Sequence, residues 1–328
     1  MEAFCQLPIT EKVHTASFQS HAFPLSIVQA HPDYSDDWIA DKFINFVYHP
    51  SYLNRFMNYN TDWHFRRCNA LTEYELSFHL DDLQQIDFLQ LIEESLTSGL
   101  YCSGQWNEKY IPRKTAYQSF DFLHEYLIYG FDRSTRNFFC IGYLKDETYT
   151  TYAVSYQNFI NALRNAGHLI PLSLFRQPKN FSAKIDSAAV IKGIYDYTDS
   201  VDSVLHDKNG IFGFAAIDAL IAELQALLSS GEPPDMRYIR SYYEHKKMMK
   251  TRLFYLAKRA VLPYSFAKEY SKIAENAETI HMLTLKALFT NRMDFMVHAI
   301  ERMKANQQYE KNYFRQFRQL VLLPEDYV

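Results

Sequence analysis

Apolar positions along this chain change their period near residue 99 and again near residue 182, which divides it into three stretches. In the first, SHAFPLSIVQAH at 20–31 predicts a helix capped by Ser20 that carries Ala22, Leu25, Ile27 and Val28, with Pro24 in its first turn. DDWIADKFINFVYHP continues as a second predicted helix closed by Pro50, and the aromatic stretch that follows, to about residue 77, yields no assignment. Residues 81–98 predict a helix with Leu83, Ile86, Phe88, Leu89 and Ile92 at helical spacing, behind an acidic first turn and ahead of Gly99.

From residue 99 the runs GLYCSGQW, NEKYIP, HEYLIYGFD, RNFFCIGYL and TYTTYAVS are short, aromatic and β-branched, with turn chemistry at 132–135 and 145–148. Antiparallel strands confined mainly to 99–156 are expected. Residues 155–165 predict a helix with Phe159, Ile160 and Leu163 on one face, and HLIPLSLFRQPKNFS at 168–182 reads as a linker. Beyond it, 188–197, 213–228, 235–262, 265–291 and 293–320 all carry apolar residues three and four apart, punctuated by Gly231, Pro233, Pro234 and Pro263. The expected class is α+β: an α+β domain over 1–182 built on an antiparallel sheet, and a helical bundle domain over 183–328.

Composition sharpens this. The chain has 328 residues, 48% hydrophobic and 22% charged, which fits an ordinary globular protein with ample core. Only 9 glycines are present, and none has the spacing of a Walker loop or a dinucleotide fingerprint, so no nucleotide cofactor is expected. A net charge of −4 gives no global attraction for nucleic acid or an anionic membrane. The charge is uneven, however: residues 233–328 hold 17 Lys/Arg against 10 Asp/Glu. The most apolar stretch, 211–228, contains Asp218 and Glu223 and reads as a buried helix, not a membrane span. The N-terminal MEAFCQLPITEK has no signal-peptide pattern, and Cys5, Cys68, Cys102 and Cys140 form neither a C-x-x-C pair nor a zinc spacing. Both fit reduced thiols and a cytoplasmic location.

The most chemically loaded segment is DFLHEYLIYGFDRSTRNFFCIGYL, where His124 opens an apolar strand whose hairpin partner returns about twelve residues later. A histidine at a strand mouth is either a general base facing a helix N-terminus or an exposed strand-end residue. YIPRKTAY, then H-x-x-L-I-Y-G-F-D, the aromatic return strand, SYQNFINAL and the later EHKKMMKTRLFYL together resemble the butirosin-biosynthesis protein H type of papain-like protein, loosely over residues 15–325. The resemblance implies a papain-like, C39-peptidase-like domain. It also implies acyl or aminoacyl transfer, or cyclisation, on a thioester carried by an acyl or peptidyl carrier protein in natural-product biosynthesis. Such members place a cysteine just before the first core helix, where this chain has Ser17, Ser20 and His21, and an aspartate near 141–143, where it has Gly142. Asp132 and Asp146 are the fallback partners for His124. With no cysteine at hand, direct deprotonation of an acceptor amine by His124 is the expected chemistry, with the Ser17–His21 turn at the helix N-terminus as nucleophile or oxyanion site. The alternative is an inactive papain-fold protein that binds the carrier-tethered intermediate.

Two further patterns lie in the helical region. Glu278-x-x-His281 and His298-x-x-Glu301 have the spacing of di-iron bundle ligands, but the second is reversed, and surface pairing is the expected reading. Arg240, Lys246, Lys247, Lys250, Arg252, Lys258 and Arg259 cluster on one predicted helix. Such a run is either a solvated face or, with the first five as contacts, a docking face for an acidic carrier protein.

Overall fold

The computed structural model describes residues 2–51, 56–59, 71–79, 87–177, 185–203 and 207–321. Among these the chain runs β1 (Phe4–Gln6), α1 (Gln19–Val28), β2 (Asn45–Tyr48), β3 (Phe56–Tyr59), β4 (Thr72–His79), α2 (Phe88–Thr97), β5 (Tyr101–Asn107) and β6 (Leu123–Asp132). It continues through β7 (Asn137–Tyr143), β8 (Tyr149–Ser155), α3 (Tyr156–Arg164), β9 (Leu169–Arg176), α4 (Ser187–Asp199), β10 (Ile211–Phe212) and α5 (Gly213–Ser230). Four helices follow, α6 (Met236–Lys258), α7 (Tyr264–Glu269), α8 (Ser271–Thr290) and α9 (Met293–Leu320). The class is α+β. Contacts divide the chain into two compact units, Met1–Tyr34 with His64–Ser182, and Ser35–Trp63 with Ala183–Val328.

The first unit is built on an antiparallel sheet in the order β4-β9-β5-β6-β7-β8, and β1 pairs with the far half of β6, beyond the reach of β5. Its strands are rich in Tyr, Phe and β-branched residues, which suit a pleated, half-buried surface. The core gathers Ile92 and Leu96 of α2 and Phe159 and Leu163 of α3 with Trp106, Tyr126, Ile128 and Phe138 of the sheet. Both helices start where a side chain satisfies an orphan amide: Asp87 accepts from Gln90 N–H and Ser155 from Asn158 N–H.

Several expectations require correction here. Residues 168–182 are not simply a linker, because β9 lies between β4 and β5. The alternation of buried Ile170, Leu172 and Leu174 carries it, and Pro171 falls just outside its ladder with β5. Strands are not confined to 99–156, since β1, β2, β3, β4, β9 and β10 lie elsewhere. The segment 36–50 is not a helix but a 3-10 turn at Asp36–Asp41 followed by β2. NEKYIP is not a strand: Asn107 accepts from Lys109 N–H and turns the chain into a 3-10 turn at Glu108–Tyr110. Phe18, not Ser20, is the N-cap of α1, which puts Pro24 in the helix interior. The predicted helix at 265–291 is two, α7 and α8, and the predicted start of α2 at 81–86 lies outside the described residues.

The second unit packs α4 to α9 with a three-stranded sheet, β10-β2-β3. The expected boundary at 182/183 therefore needs one change: Ser35–Trp63 belongs with the C-terminal unit. α5 is long and apolar enough to cross a membrane, but it buries Phe214, Ile217, Leu220 and Leu224 and packs against α9 and β2. Gly213 opens it at φ +57°, where a methyl group would sit 1.9 Å from the Tyr197 carbonyl oxygen, so only glycine fits.

Candidate functional site

His124 stands at the start of β6, opposite Trp106 of β5, with its side chain about one-third exposed. Its Nδ1 lies 2.8 Å from Oε1 of Glu108, a carboxylate on the 3-10 turn that leaves β5. No described residue bonds Nε2. A carboxylate that accepts from Nδ1–H fixes the tautomer in which Nε2 is the basic atom.

Glu108 is 4% exposed, and the same Oε1 is 3.2 Å from the ammonium of Lys114, itself 3% exposed. Burial disfavours the Glu108 charge, but the hydrogen bond to His124 and the charge of Lys114 outweigh it and hold the carboxyl below its ordinary range. Burial likewise pulls the Lys114 ammonium down, opposed by Glu108. Lys114 donates to the Tyr143 carbonyl at 2.6 Å, and its Nζ sits 4.9 Å from the centre of the Tyr152 ring. A buried acid is thus kept ionised by a buried base, and the imidazole is held by the acid.

At Gly142 on β7, the first turn of α1 meets this group. A methyl group added there would lie 3.2 Å from Gln19 Nε2, 3.6 Å from Lys114 Nζ and 3.6 Å from the Tyr152 hydroxyl. The Gln19 amide and the Tyr152 hydroxyl are buried, with no hydrogen-bond partner among the described residues. Of the other residues expected at the head of α1, Ser17 is buried at 4% exposure, Ser20 is exposed, and burial lowers the His21 pKa to about 4, so that ring is neutral. His21 packs edge-on to Phe18.

Asp132 and Asp146 do not orient His124. Asp132 closes the other end of the ten-residue β6, roughly 30 Å along the strand at the usual rise, and accepts from Ser134 in the hairpin turn. Asp146 accepts from Thr148 N–H in the next turn. The partner is Glu108, which the sequence pattern hides because NEKYIP reads as a strand; the Asn-Glu pair just after an apolar strand is the local turn signal that could have found it. Asn107 is hidden in the same way. Its side chain accepts from the amides of Lys109 and Phe122 and donates to Asp121 and the Asn165 carbonyl, tying the Glu108 turn to the approach to His124.

The described thiols offer no reactive nucleophile. Burial pushes Cys102 and Cys140 far above the ordinary thiol range and raises Cys5 as well, helped by Glu2. Cys68 lies outside the described residues.

The expected docking face needs correction at two of its five residues. Lys246 is fully buried, with its ammonium 2.7 Å from Glu310 of α9, and Arg252 is fully buried, donating to the carbonyls of Ala40 and Lys42. Arg240 pairs with Glu244 one turn on; Lys247 is exposed and Lys250 half-buried. His281 stacks on Tyr243, and among the described residues no three His, Cys, Asp or Glu side chains are grouped for a metal. No protein-family model matches the chain, and no curated protein matches it.

Proposed function

We propose that the first unit is an acyltransferase of papain-like ancestry, similar to the butirosin-biosynthesis protein H type, acting on an acyl or aminoacyl thioester held by a carrier protein. The observation that carries this reading is the 2.8 Å hydrogen bond from the partly exposed His124 to the buried carboxylate of Glu108, with no described residue bonded to the opposite ring nitrogen. His124 Nε2 takes a proton from an acceptor amine or hydroxyl as it attacks the thioester carbonyl. The new C–N or C–O bond forms, the C–S bond breaks, and the proton returns from Nε2 to the departing thiolate. An intramolecular acceptor gives cyclisation by the same step.

This route asks nothing of a nucleophile at the head of α1. That suits a chain in which the described cysteines are held as thiols and Ser17 is buried. The second reading, a catalytically inactive binder of the carrier-tethered intermediate, draws on the same lack of an activated thiol. Turnover separates the two. With acyl N-acetylcysteamine thioesters and a primary amine, the wild type should form amide by mass spectrometry. His124→Ala should lose roughly 100-fold or more, and Glu108→Gln roughly 10-fold or more. His124 is partly exposed but donates to the buried Glu108 carboxylate, which keeps Lys114 as a partner, so loss of the imidazole should lower stability by roughly 1–3 kcal/mol and leave the chain folded. Equal amide formation by wild type and His124→Ala would remove the catalytic reading.

A further inference from the structure

Residues 120–122 lead into β6 from the turn at 116–120, and every second position from 120 to 124 carries an aromatic ring. Phe120, Phe122 and His124 follow that spacing, with ring centroids 6.3 Å apart between the two phenylalanines and 5.1 Å between Phe122 and the imidazole. Both phenyl rings are exposed, Phe120 at 49% and Phe122 at 43%. The segment that holds them is firmly anchored. Glu108 N–H donates to the Phe122 carbonyl at 2.8 Å, Phe122 N–H to Asn107 Oδ1 at 3.2 Å, and Gln118 N–H to the Lys109 carbonyl at 3.0 Å. The turn that aims the Glu108 carboxylate therefore also anchors the backbone that presents the two rings.

Rigidly presented apolar surface beside a polar group marks a place where something apolar is bound. Between the rings in sequence, Asp121 pairs with Lys109 at 3.2 Å, so that ammonium is already engaged by a carboxylate of the protein and not by an ionised acyl group. We propose that Phe120 and Phe122 form the subsite for the acyl chain, and that the transferred group is apolar, a medium-length fatty acyl or aromatic acyl unit. The proposal rests on the acyl-transfer reading of His124.

The test is equilibrium binding, without acceptor, of octanoyl and acetyl N-acetylcysteamine thioesters to the whole chain by titration calorimetry. The octanoyl compound should bind about 10-fold tighter. Phe120→Ser with Phe122→Ser should bring the ratio close to one, whereas Phe122→Leu should keep most of it. Because both rings are exposed, these variants should fold, and Phe120→Ser alone provides a milder check. Equal affinities in the wild type, or an unchanged ratio in the double variant, would overturn the proposal. So would a wild-type dimer in light scattering that the double variant abolishes, since the rings would then belong to a second copy. A chain-length preference without amide formation would defeat the acyl-transfer reading alone, and amide formation without the preference would defeat the subsite alone.

Discussion

Glu108 and His21 show at the scale of single residues how burial chooses protonation states. Glu108 stays charged because the Lys114 ammonium and the His124 Nδ1–H share one of its oxygens, whereas His21 has burial as the cause of its shift and is kept neutral. The sign for His21 follows from linkage: its folded pKa of about 4 lies below the unfolded value of roughly 6.5. Its contribution to stability is therefore complete above the unfolded value and is lost as pH falls toward the folded one, at up to about 1.4 kcal/mol per pH unit. His21→Leu should flatten the decline of stability between those two values relative to wild type, measured by urea unfolding at several pH values. Parallel curves would mean that the ring is solvated. Glu108 acts in the same direction lower on the scale: its depressed carboxyl supports the fold above its unfolded pKa and ceases to as pH falls through its folded one.

On the scale of elements, α6 is the instructive case. Its apolar residues recur at helical spacing, but Lys246 and Arg252 face inward with Met248, Met249 and Leu253, while Lys247 faces water. Lys246 meets Glu310, whose oxygens also accept from Tyr197 and Tyr270, so the buried charges are satisfied from several elements at once. Burial lowers the Lys246 pKa, and Glu310 opposes that. Removing one member leaves the other buried and unpaired, so Glu310→Gln should cost roughly 3 kcal/mol or more in chemical unfolding. Lys247→Glu and Lys250→Glu should each stay within about 0.5 kcal/mol of wild type. Those two lysines are consequently the ones with which to test docking of an acidic carrier. Their joint reversal should slow association with the cognate carrier at low salt and matter less above ~0.15 M, where the screening length is near 8 Å. Equal association rates at low salt for wild type and double variant would leave Lys247 and Lys250 as solvated side chains with no docking role.

For the whole molecule, the decisive feature is that Ser35–Trp63 belongs to the unit otherwise formed by Ala183–Val328. Its carbonyls answer buried donors of α6: Ala40 and Lys42 accept from Arg252, and Ile44 accepts from His245 at 2.9 Å. β2 also supplies the strand that β10 pairs with. A fragment of residues 183–328 would bury these donors without acceptors, at roughly 1–3 kcal/mol each. It should show no cooperative thermal transition by circular dichroism, whereas a longer fragment that joins 35–63 to it should regain one. A cooperative transition in the short fragment would show that the inserted segment is dispensable.

Local physics made much of this legible in the chain itself. The 3.6-residue spacing over 188–320 favours helix, and the alternating aromatic runs of 123–155 pair with their neighbours through short turns, so the helices of that region, apart from the break between α7 and α8, and the β6-β7-β8 meander followed from the sequence. His124 stood out for the same reason, as a titratable group at the mouth of an apolar strand. What depended on contacts between distant residues could not be read that way. β9 is a strand because β4 and β5 flank it, and Lys246 is buried because a glutamate 64 positions on reaches it. Glu108 became the partner of His124 through a turn that brings together residues 16 apart in sequence. Periodicity reports the face a residue presents to its own element; which charge waits on the other side is decided by the tertiary fold.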